Sequence, residues 1–371
     1  MPLHFSTHLI MVSTTLKKHN FSAGPAILPQ EVFEEASKGV LNFMDSGLSV
    51  LEISHRSKEF DSVIKEAEAL VRELAGIGDE FAVLFLTGGA STQFFMAPMN
   101  LLKEGEKAAY INSGAWSAKA IKEAKHFGNV EVIASSKDAN YTFIPKEYNV
   151  PADAAYLHIT SNNTIYGTQY KSFPETSIPL IADMSSDMFS KPIDFNKFGL
   201  IYAGAQKNLG PAGVTLVILR KDLIGRSGRT LPSMLDYNTH VQKGSLFNTP
   251  PVFPIYVLML TLRWLKAKGG LKAIAKHNEE KAAILYKEID ENPCFTGTAN
   301  KEDRSLMNAC FLPTKPEYTE PFLKLCQEAG ISGVKGHRSV GGFRASIYNA
   351  MPKESVELLV EVMQQFARTQ G

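Results

Sequence analysis

The sequence has few cysteines, almost no net charge and no residue spacing typical of a metal site. Its 371 residues include Cys294, Cys310 and Cys326, which are 16 positions apart and form no C-x-x-C motif. So sparse a set excludes a disulfide framework and a zinc site, and it predicts reduced thiols in a cytoplasmic protein.

The net charge of the sequence is close to zero. Lysine and arginine number 39 against 38 for aspartate and glutamate, a net charge of +1. No overall field draws such a chain to nucleic acid or to an anionic membrane, so any anion site must be local.

Long hydrophobic runs and a targeting signal are also missing. No stretch reaches the ~18 apolar residues that a membrane-spanning helix needs, so we expect no membrane partner. The first twenty residues contain no arginine, and their basic pair, Lys17-Lys18, comes late, whereas a secretory signal begins with its positive charge. We expect residues 1–17 to be a disordered extension, or the product of a start placed upstream of Met11.

The overall composition is ordinary for a soluble globular protein, with an apolar fraction of 44% and a charged fraction of 21%.

Two N-terminal stretches have the periodicity of amphipathic helices. Residues 31–44 place one apolar face on a predicted helix: Val32, Phe33, Ala36, Val40 and Leu41. Residues 58–77 repeat the pattern with Phe60, Val63, Ile64, Ala67, Leu70, Val71 and Leu74.

The period then changes to short apolar runs that are typical of buried strands. Seven such runs cover residues 81–87, 107–112, 130–134, 154–160, 178–184, 199–205 and 213–220. Helix-like stretches separate several of them, at 91–101, 115–127 and, with less periodicity, 186–198. This alternation predicts βαβ units and a mostly parallel, doubly wound sheet. Only seven residues separate the last two runs, too few for a helical crossover, so we expect that pair to be antiparallel and at an edge.

The character of the sequence changes again after about residue 221. Residues 226–254 are rich in Gly, Pro, Ser, Asn and Thr, and a loop of this length is usually functional or part of an interface. Residues 255–291 are helix-like, and residues 305–371 mix strands with helices. We therefore predict four parts: an extension, 1–17; an N-terminal segment that joins the small domain, 18–30; a large domain, 31–265; and a small α+β domain, 266–371.

The predicted strand ends carry the residues of chemical interest, because ligands of parallel sheets bind beyond the carboxyl ends of the strands. The run 81–87 leads into GGASTQF, where a helix start offers free N–H groups to a phosphate. Asp183 directly follows residues 178–182 of the run 178–184, and Lys207 follows the run 199–205. Each feature alone has an ordinary alternative, a capped glycine turn or a solvated loop lysine. Together they are the set that pyridoxal phosphate requires: a phosphate cradle, a carboxylate for the ring nitrogen and a lysine for the Schiff base.

Five motifs resemble one known family over essentially the whole chain from about Lys18. They are NFSAGPAILP (20–29), ISHRSKEF (53–60), FLTGGASTQF (85–94), AGAQKNLGPAG (203–213) and GHRSVGGFRASIYNAMP (336–352). All resemble the phosphoserine aminotransferase family, in class V of the fold-type I pyridoxal phosphate enzymes. The resemblance implies a large domain with a mostly parallel seven-stranded sheet and a smaller α+β C-terminal domain. It also implies ping-pong amino transfer, through a lysine Schiff base, from glutamate to 3-phosphohydroxypyruvate in serine biosynthesis, and in some bacteria the analogous step of pyridoxine synthesis.

The resemblance also assigns cofactor-binding and catalytic residues. It implies that Lys207 forms the Schiff base and moves the substrate proton, and that Asp183 holds the pyridinium nitrogen. Trp116 matches the ring-stacking residue, with a core tryptophan as its alternative. Thr164, in SNNTIYG, matches the threonine beside the phenolic oxygen of the cofactor.

A second set of residues matches contacts to the cofactor phosphate. Ala90, Ser91 and Gln206 match contacts within one chain, while Asn248 and Thr249 match residues that reach the neighbouring subunit. The resemblance therefore implies a homodimer with shared sites. One branch of the family has an arginine where Ser91 stands, so here a hydroxyl and helix-start amides must bind more of the phosphate.

The anionic substrates require local cations, which the sequence supplies as His55-Arg56, His337-Arg338 and Arg344. Arginine binds carboxylate and phosphate through paired hydrogen bonds. The resemblance implies that Arg344 binds the α-carboxylate, and that the others bind the distal phosphate or γ-carboxylate, partly across the dimer. A surface ion pair is the alternative for each arginine taken alone.

Three other functions remain open from the sequence. A class V cysteine desulfurase would need a cysteine on a mobile loop near the cofactor, but all three cysteines fall in the predicted small domain. An alanine–glyoxylate type of aminotransferase would not need two His-Arg pairs. A cofactor-free binding protein on the same fold would not need both Lys207 and Asp183.

Overall fold

The computed structural model describes residues 17–370. Residues 1–16 and 371 lie outside this part, and with them all but the last residue of the predicted extension. Within the described residues the chain forms nine α-helices: α1 (Gln30–Leu41), α2 (Lys58–Ala75), α3 (Gly89–Leu101), α4 (Ala115–Ala124), α5 (Tyr237–Gln242), α6 (Val252–Ala267), α7 (Gly270–Glu291), α8 (Thr319–Glu328) and α9 (Lys353–Gln370).

The strands form one large sheet and three small ones. The large sheet contains β2 (Phe81–Leu86), β3 (Lys107–Asn112), β4 (Asn129–Ser135), β5 (Leu157–Thr160), β8 (Leu180–Asp183), β9 (Phe198–Gly204) and β10 (Thr215–Arg220). The small sheets pair β1 (His19–Asn20) with β13 (Ile331–Ser332), β6 (Asn162–Asn163) with β7 (Thr168–Gln169), and β12 (Asn308–Pro313) with both β11 (Phe295–Gly297) and β14 (Phe343–Ser346).

The large sheet confirms the predicted mostly parallel architecture. Its strand order is β2-β10-β9-β8-β5-β3-β4, and only β10 runs against the others. The antiparallel pairing of β9 with β10 was predicted, but its position at an edge was wrong, because β10 lies between β9 and β2. The carboxyl ends of β2, β3, β5, β8 and β9 therefore meet at one edge of the sheet.

Helices cover both faces of this sheet, as the fully buried strands require. Alternate residues of β8 enter opposite apolar clusters: Leu180 and Ala182 pack with α1, α2 and α6, while Ile181 packs with α3 and α4. The α2 helix begins with Ser57, whose hydroxyl accepts a hydrogen bond from the Phe60 amide, and ends at Gly76 in the left-handed region. Such caps satisfy the free backbone groups of helix termini.

Three helix predictions need correction. In α1, Val32 is buried, but Phe33 is 44% and Leu41 82% exposed. Leu41 is nine residues, or two and a half turns, beyond Val32, so the two side chains leave opposite sides of the helix. Residues 186–197 form turns and a short 3-10 helix (Phe195–Lys197) rather than an α-helix, because Phe189 has a φ of 57°. Residues 255–291 form two helices, since Gly269 and Gly270 take positive φ values between α6 and α7.

A second buried cluster lies in the C-terminal part of the chain. It combines residues of α7, α8, α9 and the β11-β12-β14 sheet with Phe21 and Ile27 of the N-terminal segment. The same segment supplies β1, which pairs in parallel with β13. Two separate cores support a division into two domains, and the predicted domain boundaries stay a prediction. No helix in the part of the chain that the structure describes is both long and apolar enough to cross a membrane.

Candidate active site

A cavity of about 440 Å³ opens at the carboxyl edge of the large sheet. A cavity of about 820 Å³ lies elsewhere, along residues 144–150 and 170–177, but none of the predicted site residues lines it. We therefore identify the candidate site by the residues that line each cavity and not by the volume of the cavity. Nine predicted residues line the smaller cavity: Ala90, Ser91, Trp116, Thr164, Asp183, Gln206, Lys207, His337 and Arg344.

Asp183 and Lys207 lie at the ends of adjacent strands. Asp183 is the last residue of β8, is 5% exposed, and accepts a hydrogen bond of 3.0 Å from the Ser185 amide to its Oδ1. Burial raises the pKa of Asp183, against the charge of Lys207 and the hydrogen bonds of Ser185, which favour the carboxylate. Burial also lowers the pKa of Lys207, opposed by the charge of Asp183. The site thus combines a desolvated carboxylate with an amine that loses its proton more readily than a free lysine.

Trp116 forms a wall of the cavity between Lys207 and Thr164. It lies in the first turn of α4, and its Nε1 donates a hydrogen bond of 3.1 Å to Thr164 Oγ1. The Lys207 Nζ is 5.4 Å from the centroid of its ring. The hydrogen bond fixes the plane of the indole, which offers an aromatic face at the cavity. A purely structural core tryptophan does not explain this exposure to the cavity.

The start of α3 presents backbone N–H groups at the same cavity. Gly88 precedes the helix with a φ of 91°, and no side chain caps the first turn. A Cβ on Gly88 would lie 1.8 Å from Thr92 Oγ1, so only glycine fits this turn. The amides of Ala90 and Ser91 therefore stay available for an anion, and Ser91 itself is exposed.

Arg344 and His337 also line the cavity. Arg344, in β14, donates through Nη1 to the Thr164 carbonyl at 3.0 Å, and its Nε is buried without a partner in the described residues. The His337 Nδ1 and Ser339 Oγ are 2.7 Å apart. Partial burial lowers the pKa of His337, and the charges of Arg344 and Arg338 lower it further. Arg344 and His337 thus give the cavity a cationic region, in which the Arg344 Nε lacks an acceptor within residues 17–370.

Five predicted residues do not line this cavity. Arg56, Arg338 and Thr249 are exposed, while His55 and Asn248 are half-buried. Asn248 lines a neighbouring cavity of about 240 Å³ that shares Gly88 with the first. The prediction assigned Asn248 and Thr249 to the site of a second subunit and placed the cations partly across the dimer. Those assignments stay predictions.

The structure adds residues to which the sequence analysis gave no role. Gly24 lines the cavity, and a Cβ there would lie 3.3 Å from Lys207 Cγ. The neighbouring amide of Ala26 donates to the Gln206 carbonyl at 2.9 Å, so the N-terminal segment packs directly on the Lys207 segment. Ser185 accepts from the Gly204 amide at 3.1 Å and thereby joins the ends of β8 and β9. The motif NFSAGPAILP was a signal for Gly24, whereas Ser185 had none beyond its closeness to Asp183.

The residues at the cavity fit pyridoxal phosphate. The cofactor needs an amine, a carboxylate, an aromatic face and an anion cradle, and each is present at one cavity. Among residues 17–370 no group of three or more His, Cys, Asp or Glu side chains is arranged to hold a metal ion. The three cysteines are buried and none lines the cavity, and burial raises the pKa of Cys310 and of Cys326 to about 12. A cysteine desulfurase needs an accessible thiol, so this alternative lacks its nucleophile.

Comparison with known proteins identifies the family. The family model described as aminotransferase class-V matches residues 18–359. The phosphoserine aminotransferase of Flavobacterium johnsoniae is 63% identical, over 94% of this chain and 98% of that relative. This chain belongs to the phosphoserine aminotransferase family. Its family relative from Bacteroides fragilis is 58% identical over 95% of this chain and 99% of the relative.

Solved structures of the family have the same fold. The phosphoserine aminotransferase of Bacillus circulans subsp. alkalophilus superposes with a TM-score of 0.94 at 49% identity, over 96% of this chain and 99% of that one. The pyridoxal phosphate-bound phosphoserine aminotransferase of Trichomonas vaginalis gives a TM-score of 0.88 at 39% identity, over 94% of this chain and all of that one. The resemblance and the fold-type I architecture predicted from the sequence are confirmed.

Proposed function

We propose that this protein is a pyridoxal phosphate-dependent phosphoserine aminotransferase. It transfers the amino group of glutamate to 3-phosphohydroxypyruvate and yields O-phosphoserine and 2-oxoglutarate, in serine biosynthesis. The observation that carries the proposal is that Asp183 and Lys207 line the same cavity as Arg344 and His337. High identity to relatives of this name over nearly their full length supports the same reaction.

The cofactor end of the cavity supports amino transfer chemistry. Pyridoxal phosphate, when bound, supplies an electron sink for the charge that develops at the substrate α-carbon. Asp183 would hold the ring nitrogen, Trp116 would cover the ring, and Thr164 would lie beside its phenolic oxygen. The α3 amides at Ala90 and Ser91 would bind the phosphate.

Lys207 both anchors the cofactor and moves a proton. Burial lowers its pKa and so favours the neutral amine, which would hold the cofactor through its aldehyde. The Lys207 Nζ would also take the proton from the substrate α-carbon as a general base and return it as a general acid. One site serves both substrates in turn, so the kinetics are ping-pong.

The other end of the cavity supports the recognition of anionic substrates. Arg344 would bind the α-carboxylate, which supplies the acceptor that its buried Nε lacks. His337 and Arg338 would bind the distal phosphate or γ-carboxylate, joined by His55 and Arg56 of a second subunit. Arginine is suited to this task because its fork makes paired hydrogen bonds to oxyanions.

The test is a coupled assay with glutamate and either 3-phosphohydroxypyruvate or unphosphorylated hydroxypyruvate. We expect kcat/KM to be higher for the phosphorylated substrate by at least about 30-fold, because a lost desolvated charge contact costs 2–5 kcal/mol. The purified protein should show the visible absorbance of lysine-bound cofactor. Equal turnover of the two keto acids would contradict the proposed specificity, and a protein without cofactor absorbance or turnover would be a binding protein.

We also propose a cytoplasmic homodimer with shared sites. Four large apolar side chains between α1 and α2 are 48–82% exposed: Leu41, Met44, Leu48 and Leu51. Clusters of this kind are typical of protein interfaces. A dimer would also give Asn248, Thr249, His55 and Arg56 a role that they lack at the cavity of their own chain.

Mixing two inactive variants tests the shared site. Lys207→Ala and the double variant Asn248→Ala, Thr249→Ala should each be nearly inactive alone. After subunit exchange, a mixed dimer has one intact site, so an equal mixture should regain about a quarter of wild-type activity. Sedimentation should show a species of about twice 40.8 kDa. A fully active monomer, or no recovery despite demonstrated exchange, would contradict shared sites.

A further inference from the structure

Lys119 places a further positive charge against the wall of the active-site cavity. It lies on α4, one turn after Trp116, and its Nζ is 4.4 Å from the centroid of the Trp116 ring. The Lys207 Nζ is 5.4 Å from the same centroid. Lys207, a cation assigned to catalysis, and Lys119, an exposed cation with no assigned role, thus both lie near the same indole ring.

Lys119 has no counter-ion where helix geometry offers one. Glu123 stands four residues further along α4, the spacing at which lysine and glutamate pair on a helix. Three other lysines of the molecule make ion pairs at this spacing: Lys65 with Asp61, Lys324 with Glu328 and Lys353 with Glu357. Lys119 makes no ion pair within residues 17–370 and contacts the Trp116 ring instead.

Lys119 belongs to a group of cations around His337. Partial burial lowers the pKa of His337, and the charges of Arg344, Arg338 and Lys119 lower it further. Within the described residues, none of the charges that shift the pKa of His337 belongs to a carboxylate. Cations gathered without a counter-ion create a positive potential that a dianion relieves.

The chemistry of lysine indicates which anionic group it would bind. The α-carboxylate is assigned to Arg344, and the cofactor phosphate to the start of α3, so the distal phosphate of the substrate remains. An ammonium group is a point charge with three rotatable donors, which suits a phosphate better than it suits bidentate pairing with a carboxylate. We propose that Lys119 is a specificity-determining residue that binds the substrate phosphate from the same chain as Lys207. This inference rests on the proposed function.

The experiment compares Lys119→Ala with Lys122→Ala in the holoenzyme. Lys122 is an exposed lysine one turn further along α4 and has no contact with Trp116, so it is a matched control. We expect Lys119→Ala to raise the KM for 3-phosphohydroxypyruvate about five- to tenfold, because the variant loses one partly exposed charge-assisted contact to the phosphate. The KM for hydroxypyruvate should stay unchanged. Inorganic phosphate should inhibit the variant more weakly than wild type, by the same factor. Lys119→Arg should restore most of the affinity, and Lys122→Ala should match wild type in both assays.

Two results would overturn the inference. Equal rises in KM for both keto acids would mean that Lys119 only positions Trp116. Identical constants for Lys119→Ala and Lys122→Ala would mean that Lys119 is an ordinary surface lysine. Failure of this inference can be distinguished from failure of the proposed function. If the proposed function were wrong, the wild-type enzyme itself would not transaminate 3-phosphohydroxypyruvate.

Discussion

The inner end of the cavity and its mouth are built on different principles. At the inner end, Asp183 and Lys207 follow buried strands and have shifted pKa values, and the Asp183 carboxylate accepts a hydrogen bond from within the same chain. At the mouth, Arg338 follows the cavity residue His337 but is exposed, and Arg338, Arg56 and Thr249 do not line the cavity. Under the proposed function, one chain would therefore complete the chemistry, while the recognition of phosphate would depend on surface groups. Strand ends fix reactive atoms rigidly, whereas loops carry specificity.

The strongest test of the inner end is Lys207→Ala, which should abolish steady-state turnover and the absorbance of lysine-bound cofactor. Among residues 17–370, no other lysine lines the cavity to move the substrate proton. Lys207→Arg is the matched variant: it keeps the charge beside Asp183 but cannot bond to the cofactor aldehyde. Absorbance spectra and steady-state assays compare the two variants with the wild-type enzyme, and circular dichroism verifies that both variants are folded. More than a few percent of residual activity in either would show that the inner end does not depend on this amine.

Asp183→Asn should have the next largest effect, because it removes the negative charge and nearly preserves the shape. We expect kcat to fall by about two to three orders of magnitude, the range for breaking a desolvated charged contact, and cofactor affinity to fall as well. Equilibrium dialysis of the cofactor and single-turnover kinetics measure the two losses separately. Normal turnover would exclude Asp183 as the partner of the ring nitrogen.

Arg338→Ala tests the mouth and should have a smaller effect that is confined to one substrate. The KM for 3-phosphohydroxypyruvate should rise by about 30-fold or more, while activity on small unphosphorylated keto acids and the cofactor spectrum stay normal. Lys335→Ala, an exposed cation on the same segment, is the control. Loss of the cofactor spectrum, or an equal loss for all keto acids, would mean that Arg338 supports structure and that the two ends are not separable.

Most of the fold could be predicted because strand and helix periods are local properties. All seven strands of the large sheet appear where the apolar runs placed them. The predictions were wrong where contacts between distant residues, or a single backbone torsion angle, determine the structure. Strand β10 inserts between β9 and β2, and no local pattern encodes that neighbour. Residues 186–198 have a helix-like composition, but the positive φ of Phe189 breaks the helix.

The candidate site was predictable where residue type carries the chemistry. Asp183, Lys207 and Trp116 could be selected because few side chains perform their tasks. Ser185 and Gly24 were missed because their residue types do not reveal what they contribute. Ser185 donates its backbone amide to Asp183, and Gly24 allows a close approach to Lys207, and many small residues in the sequence could do either. The predicted roles of Arg56 and Thr249 involve a second chain, so they stay predictions that the structure of one chain does not test.

The parallel pairing of β1 with β13 sets the order in which this enzyme can be completed during synthesis. The segment that brings Gly24 against Lys207 leaves the ribosome about 300 residues before its pairing partner, Ile331–Ser332. The Tyr348 hydroxyl, which donates to the Ala23 carbonyl at 2.7 Å, arrives later still. Contacts so distant in sequence form slowly. A nascent chain that has already folded its central sheet therefore still lacks one wall of the cavity, and this wall is completed only after Tyr348 has been translated.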